Sequence, residues 1–243
     1  MIGIFDSGSG GKFAYEILKR LLPREKLTLL IDSENAPYGT KSEDEIITLA
    51  EKNIEKLVDL GCDTVLIACC TASTVYGRLS PSKRGVALPI IRPTAYAAAR
   101  ATKRGKIAVI ATEATVRSGE FTKEIKRISP MVEVTEMPTQ ELVRMVDEAG
   151  GTLDGAPREY FAEIIDRVVA LGADALVLGC THFHAAKSIF ENIIEYNNLK
   201  ITVVSSAEVG AHLAAERIKE GASALGKEIS KWENTEEAEL TMP

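Results

Sequence analysis

The chain has 243 residues, of which 45% are hydrophobic and 26% are charged, a composition that supports a globular core and excludes a disordered protein. Its formal net charge of −6 argues against a basic nucleic-acid-binding surface, and no apolar run approaches the roughly 18 residues of a membrane-spanning helix. Four cysteines are too few for a disulfide scaffold and the first residues do not resemble a signal peptide, so we expect reduced thiols in a cytoplasmic protein.

The first half of the chain alternates short apolar runs with segments of helical periodicity. Its predicted elements are a strand at Ile2–Phe5, a helix at Phe13–Leu22, a strand at Leu27–Ile31, a helix at Asp44–Leu60 and a strand at Thr64–Ala68. The centre of the last strand is apolar throughout, as expected for a parallel strand that is buried on both faces. This alternation predicts an α/β fold with parallel strands.

A second series of elements begins near residue 106. It comprises strands at Lys106–Ile110, Val132–Thr135, Ala175–Leu178 and Ile201–Val204, and helices at Gly119–Ile128, Glu159–Leu171 and Ala207–Lys219. The last residues, Gly226–Pro243, are polar and acidic with a single tryptophan, Trp232. We expect weak order in this last segment unless a partner surface covers it.

The second series repeats the first. Residues 60–69 align with residues 171–180 at a constant offset of 111 positions, and each copy contains a glycine, an aspartate, an apolar strand and a terminal cysteine. Chance similarity is the alternative, because Gly-x-Asp before a strand is common. We interpret the repeat as two similar parallel-sheet α/β lobes. The first lobe is predicted to contain residues 1–92 and 206–243, and the second residues 93–205.

The two aligned cysteines follow the carboxyl ends of strands, where open parallel sheets bind ligands. Thr71 and Ser73 in one copy and Thr181 in the other are suited to open a helix there, and its dipole would lower the pKa of the thiol. The repeat aligns Cys70 with Thr181, so Cys69 is the predicted reactive residue. Two thiols on opposite sides of one ligand suit the inversion of a stereocentre, which needs an acid/base group on each face and no cofactor.

Each candidate residue also has a plainer structural interpretation. A cysteine at a strand end is more often a small buried apolar residue, and Cys62 fits that role because the repeat aligns it with Ala173. Asp6, at the end of the first strand, is either an N-cap or turn aspartate before the helix, or a carboxylate that orients or deprotonates a thiol. His182, two residues after Cys180, is the equivalent candidate for the second thiol. The two other histidines are interpreted as structural or surface residues.

Three further interpretations stay open at this point. The glycine-rich segment Gly8–Lys12 lacks the spacing of a phosphate-binding loop, so we interpret it as backbone that approaches an anionic group at a helix N-terminus. A zinc site formed by Cys69, Cys70, Cys180 and His182 is chemically allowed, although its ligands are adjacent rather than spaced Cys-x-x-Cys. The third interpretation is a non-catalytic module that closes on a small anion. Such a module should keep its affinity for the anion when either aligned cysteine is replaced by serine.

Four ordered motifs connect the chain to a known family. They are Phe5–Gly11, Ala36–Thr40, Ile67–Ser73 and Leu178–Phe183. Through these motifs, which span most of the chain, the sequence resembles the cofactor-independent aspartate/glutamate racemases. The resemblance implies two α/β lobes around one active site, and an enzyme that interconverts L- and D-glutamate without a cofactor. It also implies a homodimer that supplies D-glutamate for peptidoglycan in a bacterial cytoplasm.

The resemblance further implies roles for individual residues. Cys69 and Cys180 would be the two bases, assisted by Asp6 and His182. The substrate contacts would be Ser7, Pro37, Tyr38, Gly39, Cys70, Thr71, Thr115 and Thr181, with Asp147 as a further candidate and Glu148 as its alternative in register. The family usually has asparagine at position 70 and glutamate at position 147. These departures keep two alternatives open, namely another acidic substrate such as aspartate and a non-catalytic carboxylate-binding descendant.

Overall fold

Two parallel sheets of four strands each form the framework of the protein. The computed structural model describes residues 1–153 and 155–220, so the segment Gly226–Pro243 with Trp232 lies outside the described residues. The first sheet contains β1 (Ile2–Asp6), β2 (Leu27–Ile31), β3 (Thr64–Ile67) and β4 (Ala87–Pro89), in the order β2-β1-β3-β4. The second contains β5 (Lys106–Ala111), β6 (Glu133–Pro138), β7 (Ala175–Leu178) and β8 (Thr202–Ser205), in the order β6-β5-β7-β8. The predicted α/β class with two similar lobes is confirmed.

Helices connect the strands in the described part of the chain. Those of the first half are α1 (Gly11–Leu21), α2 (Glu43–Asp59), α3 (Cys70–Ser73), α4 (Pro81–Val86) and α5 (Ile91–Ala101). Those of the second half are α6 (Glu113–Ser118), α7 (Glu120–Ile128), α8 (Gln140–Glu148), α9 (Arg158–Ala170), α10 (Lys187–Tyr196) and α11 (Ser206–Glu220). Two 3-10 helices, Tyr38–Thr40 and Thr181–Ala186, carry residues of the predicted site.

Local signals in the sequence set the ends of the best-predicted helices. The Oγ of Ser42 accepts a hydrogen bond from the Glu45 N–H, and the Glu45 carboxylate accepts one from the Ser42 N–H, so a reciprocal capping box starts α2. The chain leaves α2 through Gly61, with φ of +88°, and leaves α9 through Gly172, with φ of +68°. Both are left-handed conformations that favour glycine, which explains why glycine ends the helix in each copy of the repeat.

The repeat is visible in the positions of the strands. β3 and β7 hold the third place in their sheets, and both of their bounds differ by the same 111 positions that relate the sequences. Each is paired in parallel with the first strand of its lobe, β1 or β5. The carboxyl ends of β3 and β7 are therefore equivalent points in the two lobes, and the same offset aligns Cys69 with Cys180.

Several elements carry no prediction from the sequence. They are β4, α5, α8 and α10, together with the short helices. β4 has three residues, too few to show a strand period. The helices α5, α8 and α10 each bury one face, in α8 through Leu142, Val143 and Val146, so their sequences do carry a helical pattern.

Helix α11 packs against the first lobe although it follows the second. Its Ala207 and Ala211 are buried in one cluster with Ile4 of β1 and Leu18 of α1. The predicted lobe boundaries at residues 92/93 and 205/206 agree with this packing but stay a prediction. Over the ranges 1–153 and 155–220, no helix combines the length and the apolar composition needed to cross a membrane.

Candidate active site

Three strand ends bring the main candidate side chains into the interior between the lobes. Asp6 ends β1, Cys69 follows β3 by two residues and Cys180 follows β7 by two residues. All three are buried, with 1%, 5% and 7% of their surface exposed. The two cysteines belong to different apolar clusters, Cys69 to that of Phe5 and Cys180 to that of Phe183. The candidate site thus lies where the cores of the two lobes approach each other.

The two thiols have different hydrogen-bonding partners. The Sγ of Cys69 lies 3.1 Å from the Oγ of Ser7 and accepts a hydrogen bond of 3.4 Å from the Ala72 N–H, so it caps the four-residue helix α3. The Sγ of Cys180 lies 3.5 Å from Nδ1 of His182. A hydroxyl therefore stands beside the first sulfur, whereas an imidazole that can bind a proton stands beside the second.

Burial, rather than the helix dipole, controls both thiols. Burial first, and the Asp6 carboxylate second, raise the pKa of Cys69 to about 12. Burial also raises the pKa of Cys180 well above its ordinary value, together with the charges of Cys70, Asp6 and Cys69. A macrodipole contributes only about 0.3–1 kcal/mol, and the helices at both positions are a single short turn or two. The prediction that the helix starts lower these pKa values is therefore wrong, because desolvation outweighs the dipole.

Asp6 joins the two lobes rather than capping a helix. Its Oδ1 accepts a hydrogen bond from the Gly8 N–H at 3.1 Å, and its Oδ2 accepts one from the Thr181 hydroxyl of the other lobe at 2.8 Å. Gly10 occupies the cap position of α1, without a side-chain bond, so Asp6 is not the N-cap, whereas its bond from the Gly8 N–H is that of a turn aspartate. Burial raises the pKa of the Asp6 carboxyl, against the opposing effect of His182.

The glycine-rich loop after β1 lies against the second lobe. A Cβ placed on Gly10 would lie 2.5 Å from Oγ1 of Thr181 and 2.6 Å from the backbone nitrogen of His182. A Cβ on Gly8 would lie 2.9 Å from Cε1 of His182. The close approach predicted for this loop is therefore made to residues of the protein itself, while its predicted contact with an anionic ligand stays a prediction.

Three threonines connect α3 with the start of α6. The Oγ1 of Thr71 lies 2.9 Å from that of Thr112 and 3.2 Å from that of Thr115, and the last two are 2.9 Å apart. All three residues are buried. The predicted contacts Thr71 and Thr115 are thus brought together, and Thr112 is added to them because it caps α6.

The segment around Tyr38 is held by a buried carboxylate. The Tyr38 hydroxyl donates to Oδ2 of Asp32 at 2.6 Å, and the Asn53 amide donates to the same oxygen at 2.9 Å and to the Tyr38 oxygen at 3.1 Å. Although burial opposes it, hydrogen bonds from Tyr38, Asn35 and Asn53 hold the pKa of Asp32 below its ordinary value. Burial and Asp32 together raise the pKa of Tyr38. Tyr38 and its neighbour Gly39 are buried.

An open cleft of about 920 Å³ lies beside this segment. Its wall includes the exposed Pro37 and the half-buried Gln140 and Tyr160, together with the exposed candidate Asp147. A Cβ on Gly39 would lie 2.9 Å from Oε1 of Gln140, so the end of that flexible side chain would have to shift to admit it. The cleft therefore reaches the edge of the buried site through Asp147.

Asp147, which is exposed at the edge of the site, contacts the buried His182. Its Oδ1 lies 3.3 Å from Nε2 of His182 and accepts a hydrogen bond of 2.5 Å from the Ser9 hydroxyl. The hydrogen bond with His182 is the main reason why the pKa of Asp147 is lowered. The alternative in register, Glu148, pairs with Arg144 instead. Of the two acidic residues, Asp147 is therefore the one placed at the site.

Of the remaining cysteines and histidines, Cys62 and Cys70 are buried, His184 is half-buried and His212 is exposed. Cys70, predicted to contact the substrate, is 2% exposed and packs in a cluster with Ile90 and Ile91, and burial raises its pKa. Cys62 is buried in the core of the first lobe. The Nδ1 of His184 lies 3.0 Å from the Ser205 hydroxyl. Among the described residues, no three His, Cys, Asp or Glu side chains are arranged to hold a metal ion, so the zinc alternative has no ligand set there.

Sequence reasoning missed several residues that the structure adds to the site. They are Ser9, Asp32, Asn53, Thr112 and Gln140. Thr112 had a local signal, since it follows a strand and precedes a helix as a good N-cap residue. Ser9 lies in the glycine-rich loop, but its contact with Asp147 joins segments 138 positions apart, which a single sequence does not reveal. Asp32, Asn53 and Gln140 belong to none of the motifs described above.

Comparisons with known proteins agree with this architecture. Residues 2–214 match the family described as Asp/Glu/Hydantoin racemase. The glutamate racemase of Persephonella marina is 34% identical over 200 residues, which cover 82% of this chain and 76% of that protein. The glutamate racemase of Geobacter metallireducens is 33% identical over 223 residues, which cover 90% and 80%. The crystal structure of glutamate racemase from Francisella tularensis in complex with D-glutamate shares the fold, with a TM-score of 0.79 at 24% identity over 92% of this chain and 82% of that one.

Proposed function

We propose that this chain, which belongs to the Asp/Glu/Hydantoin racemase family, interconverts L- and D-glutamate by proton transfer at the α-carbon, with Cys69 and Cys180 as the two bases. The observation that carries the proposal is the position of two buried thiols at equivalent strand ends of a duplicated fold. The named relatives are glutamate racemases, which supports glutamate as the substrate.

The proposed reaction balances with the two thiols alone. The thiolate of one cysteine removes the α-hydrogen as a proton, and the electron pair of the C–H bond passes into the adjacent carboxylate group. The thiol of the other cysteine then donates its proton to the opposite face of the planar carbon. The product has the inverted configuration, and the two sulfurs have exchanged protonation states. The enzyme is then ready for the reverse conversion, and a further turnover in the same direction requires the two sulfurs to exchange protons with solvent first.

Because both thiols are held neutral by burial, each needs a partner that favours its thiolate. The His182 ring nitrogen, 3.5 Å from the sulfur, is placed to take the proton of Cys180. The Ser7 hydroxyl is placed to donate a hydrogen bond to a Cys69 thiolate and lowers the pKa of that thiol. The α-ammonium group of a bound amino acid adds a positive charge near both sulfurs, and a thiolate formed in this dry site is a stronger base than one in water.

The proposed substrate contacts are neutral hydrogen-bonding groups. The hydroxyls of Ser7, Thr71, Thr115 and Thr181 serve the two carboxylates and the ammonium group, and the Pro37–Gly39 segment closes the site beside them. Asp6 and His182 assist by holding Thr181 and Cys180. Cys70 shapes the wall behind Cys69, since its side chain lies in the apolar cluster.

Exchange of the α-hydrogen with solvent tests the proposal directly. Purified protein is incubated in D₂O with each enantiomer of glutamate and of aspartate, and the α-proton signal is followed by NMR together with optical rotation. We expect loss of the signal and of optical rotation for both glutamate enantiomers. Faster exchange with aspartate than with glutamate would identify aspartate as the preferred substrate. Binding of glutamate without exchange of the α-hydrogen in any of the four samples would refute the proposed racemase function. It would favour a non-catalytic binding protein.

The proposed cellular role follows from the reaction. D-glutamate made in this way serves peptidoglycan synthesis in the cytoplasm, and the expected assembly is a homodimer. A bacterial strain that requires external D-glutamate should grow without it when it expresses the chain, and a Cys69→Ser variant should not restore growth. Light scattering on the purified protein decides between a monomer and a dimer.

A further inference from the structure

Ser9 makes a direct contact between the lobes that the proposed mechanism does not use. It lies in the glycine-rich loop between β1 and α1, and its hydroxyl donates to Oδ1 of Asp147 in α8 at 2.5 Å. The loop approaches the second lobe closely at Gly8 and Gly10, and the Gly10 N–H lies 3.2 Å from Nε2 of His182. Ser9 therefore lies between two residues that adjoin His182.

The oxygen that Ser9 binds is the same oxygen that faces His182. Oδ1 of Asp147 lies 3.3 Å from Nε2 of His182, and this nitrogen also lies 3.2 Å from the N–H of Gly10. A neutral imidazole cannot satisfy both neighbours, because Nε2 donates to the carboxylate only when it carries a proton and accepts from Gly10 only when it does not. The two neighbours therefore favour opposite tautomers of His182.

The tautomer decides what His182 does for Cys180. With the proton on Nε2, the other nitrogen, Nδ1, has a free lone pair 3.5 Å from the Cys180 sulfur and can take the thiol proton. With the proton on Nδ1, the ring donates to the sulfur and cannot accept. An aspartate that holds the distal nitrogen of an imidazole selects the tautomer in the same way in serine hydrolases.

We propose that Ser9 is a positioning residue for the half-reaction in which Cys180 is the base: its hydroxyl fixes Asp147 toward His182 and so selects the imidazole tautomer that accepts the Cys180 proton. The half-reaction in which Cys69 is the base does not depend on this contact. The kinetic part of the inference rests on the proposed racemase function, whereas the tautomer of His182 does not.

The first experiment reads the tautomer without turnover. The chain has three histidines, so long-range ¹H–¹⁵N spectra of the histidine-labelled protein can be assigned with His184 and His212 variants. We expect the Nε2–H tautomer for His182 in the wild type and in Ser9→Thr, and a shift toward Nδ1–H in Ser9→Ala. Ser82→Ala is the matched control, because Ser82 is exposed in α4 and bonds weakly to Ser80. An unchanged tautomer in Ser9→Ala would overturn the inference.

The second experiment measures which of the two half-reactions depends on Ser9. Because the enantiomers have equal free energy, kcat/KM must be the same in both directions for every variant, so the asymmetry is measured as the α-deuterium isotope effect on each enantiomer. Loss of a supporting residue behind a functional group typically costs ~10–100-fold in activity, and we expect a kcat/KM loss in this range for Ser9→Ala and recovery in Ser9→Thr. The isotope effect should rise for one enantiomer only, the one that a Cys180→Ala variant fails to exchange.

The outcomes separate the two hypotheses. A rise in the isotope effect for both enantiomers would show a structural role for Ser9 and refute its positioning role. Activity of Ser9→Ala within twofold of the wild type would do the same. A wild type that exchanges no α-proton refutes the racemase, while the tautomer experiment still decides what Ser9 does to His182.

Discussion

Replacement of Gly10 by alanine should separate the two lobes at the candidate site. Gly10 has helical φ and ψ of −57° and −28°, so alanine fits its backbone, and the whole effect comes from the added Cβ. That atom would lie 2.5 Å from Oγ1 of Thr181, 2.6 Å from the His182 nitrogen and 2.7 Å from Nδ1 of His182. Ordinary contacts begin near 3.4 Å, so the loop and the Thr181–His182 segment must move apart by roughly 1 Å.

The expected cost is larger for activity than for stability. Overpacking of this kind costs typically about 1–3 kcal/mol of folding free energy, whereas a 1 Å displacement of catalytic groups can cost about 100-fold in rate. We therefore expect kcat/KM for α-proton exchange to fall about 100-fold in Gly10→Ala, with the urea unfolding midpoint lowered but the protein folded at 25 °C.

Gly85→Ala is the matched control for this prediction. Gly85 lies in α4 and a Cβ there meets no atom within 4 Å, so alanine should leave activity unchanged and stabilise the helix slightly. The reasoning is refuted if folded Gly10→Ala, verified by circular dichroism, keeps activity within threefold of the wild type. In that case the contact between the glycine loop and His182 would not position the site.

Three further predictions follow from other contacts. Cys180→Ser should abolish racemisation but retain solvent exchange for the one enantiomer that Cys69 deprotonates, as followed by NMR in D₂O; full racemisation would exclude the two-thiol mechanism. Tyr38→Phe removes the 2.6 Å bond to the buried Asp32 and should cost about 1–3 kcal/mol in urea unfolding, whereas Tyr196→Phe, at an 88% exposed position, should cost nothing measurable. Although burial opposes it, hydrogen bonds from the Thr102 hydroxyl and the N–H groups of residues 103 and 104 lower the pKa of Asp174. Because the folded-state pKa is below the unfolded one, this stability is present above about pH 4 and is lost as the pH falls through the folded value. The unfolding midpoint of Asp174→Asn should therefore differ most from the wild type near neutral pH and converge with it in acid; a constant difference would contradict the assignment.

The parts of the site that the sequence predicts well are those that the repeat determines. The offset of 111 positions reproduces both bounds of β3 and β7, because a buried strand between a glycine helix stop and a functional turn has little tolerance for insertion. The same offset singles out Cys69 and Cys180 among four cysteines and assigns Cys62 to the core. Local signals of this kind survive in a single sequence.

The parts that could not be predicted depend on contacts between distant segments. The pKa of each thiol depends on how deeply packing buries it, and the strand-end position alone suggested the opposite direction. The partners of Tyr38, which are Asp32 and Asn53, are joined to it by the arrangement of β2, α2 and the intervening turn. Desolvation and side-chain networks are properties of the packed structure, so neither periodicity nor motif spacing reports them.

The duplicated fold places two sulfurs symmetrically but surrounds them unequally. Ser7, which hydrogen-bonds Cys69, can donate to a thiolate but cannot take its proton at neutral pH, whereas His182, beside Cys180, can do both. Cys180 therefore has a resident proton acceptor, while formation of the Cys69 thiolate depends more on the charge that a bound amino acid brings. This difference implies that the two half-reactions have different barriers although the overall equilibrium constant is one. Duplication thus explains why two bases exist, and the divergence of their neighbours determines how differently the two bases act.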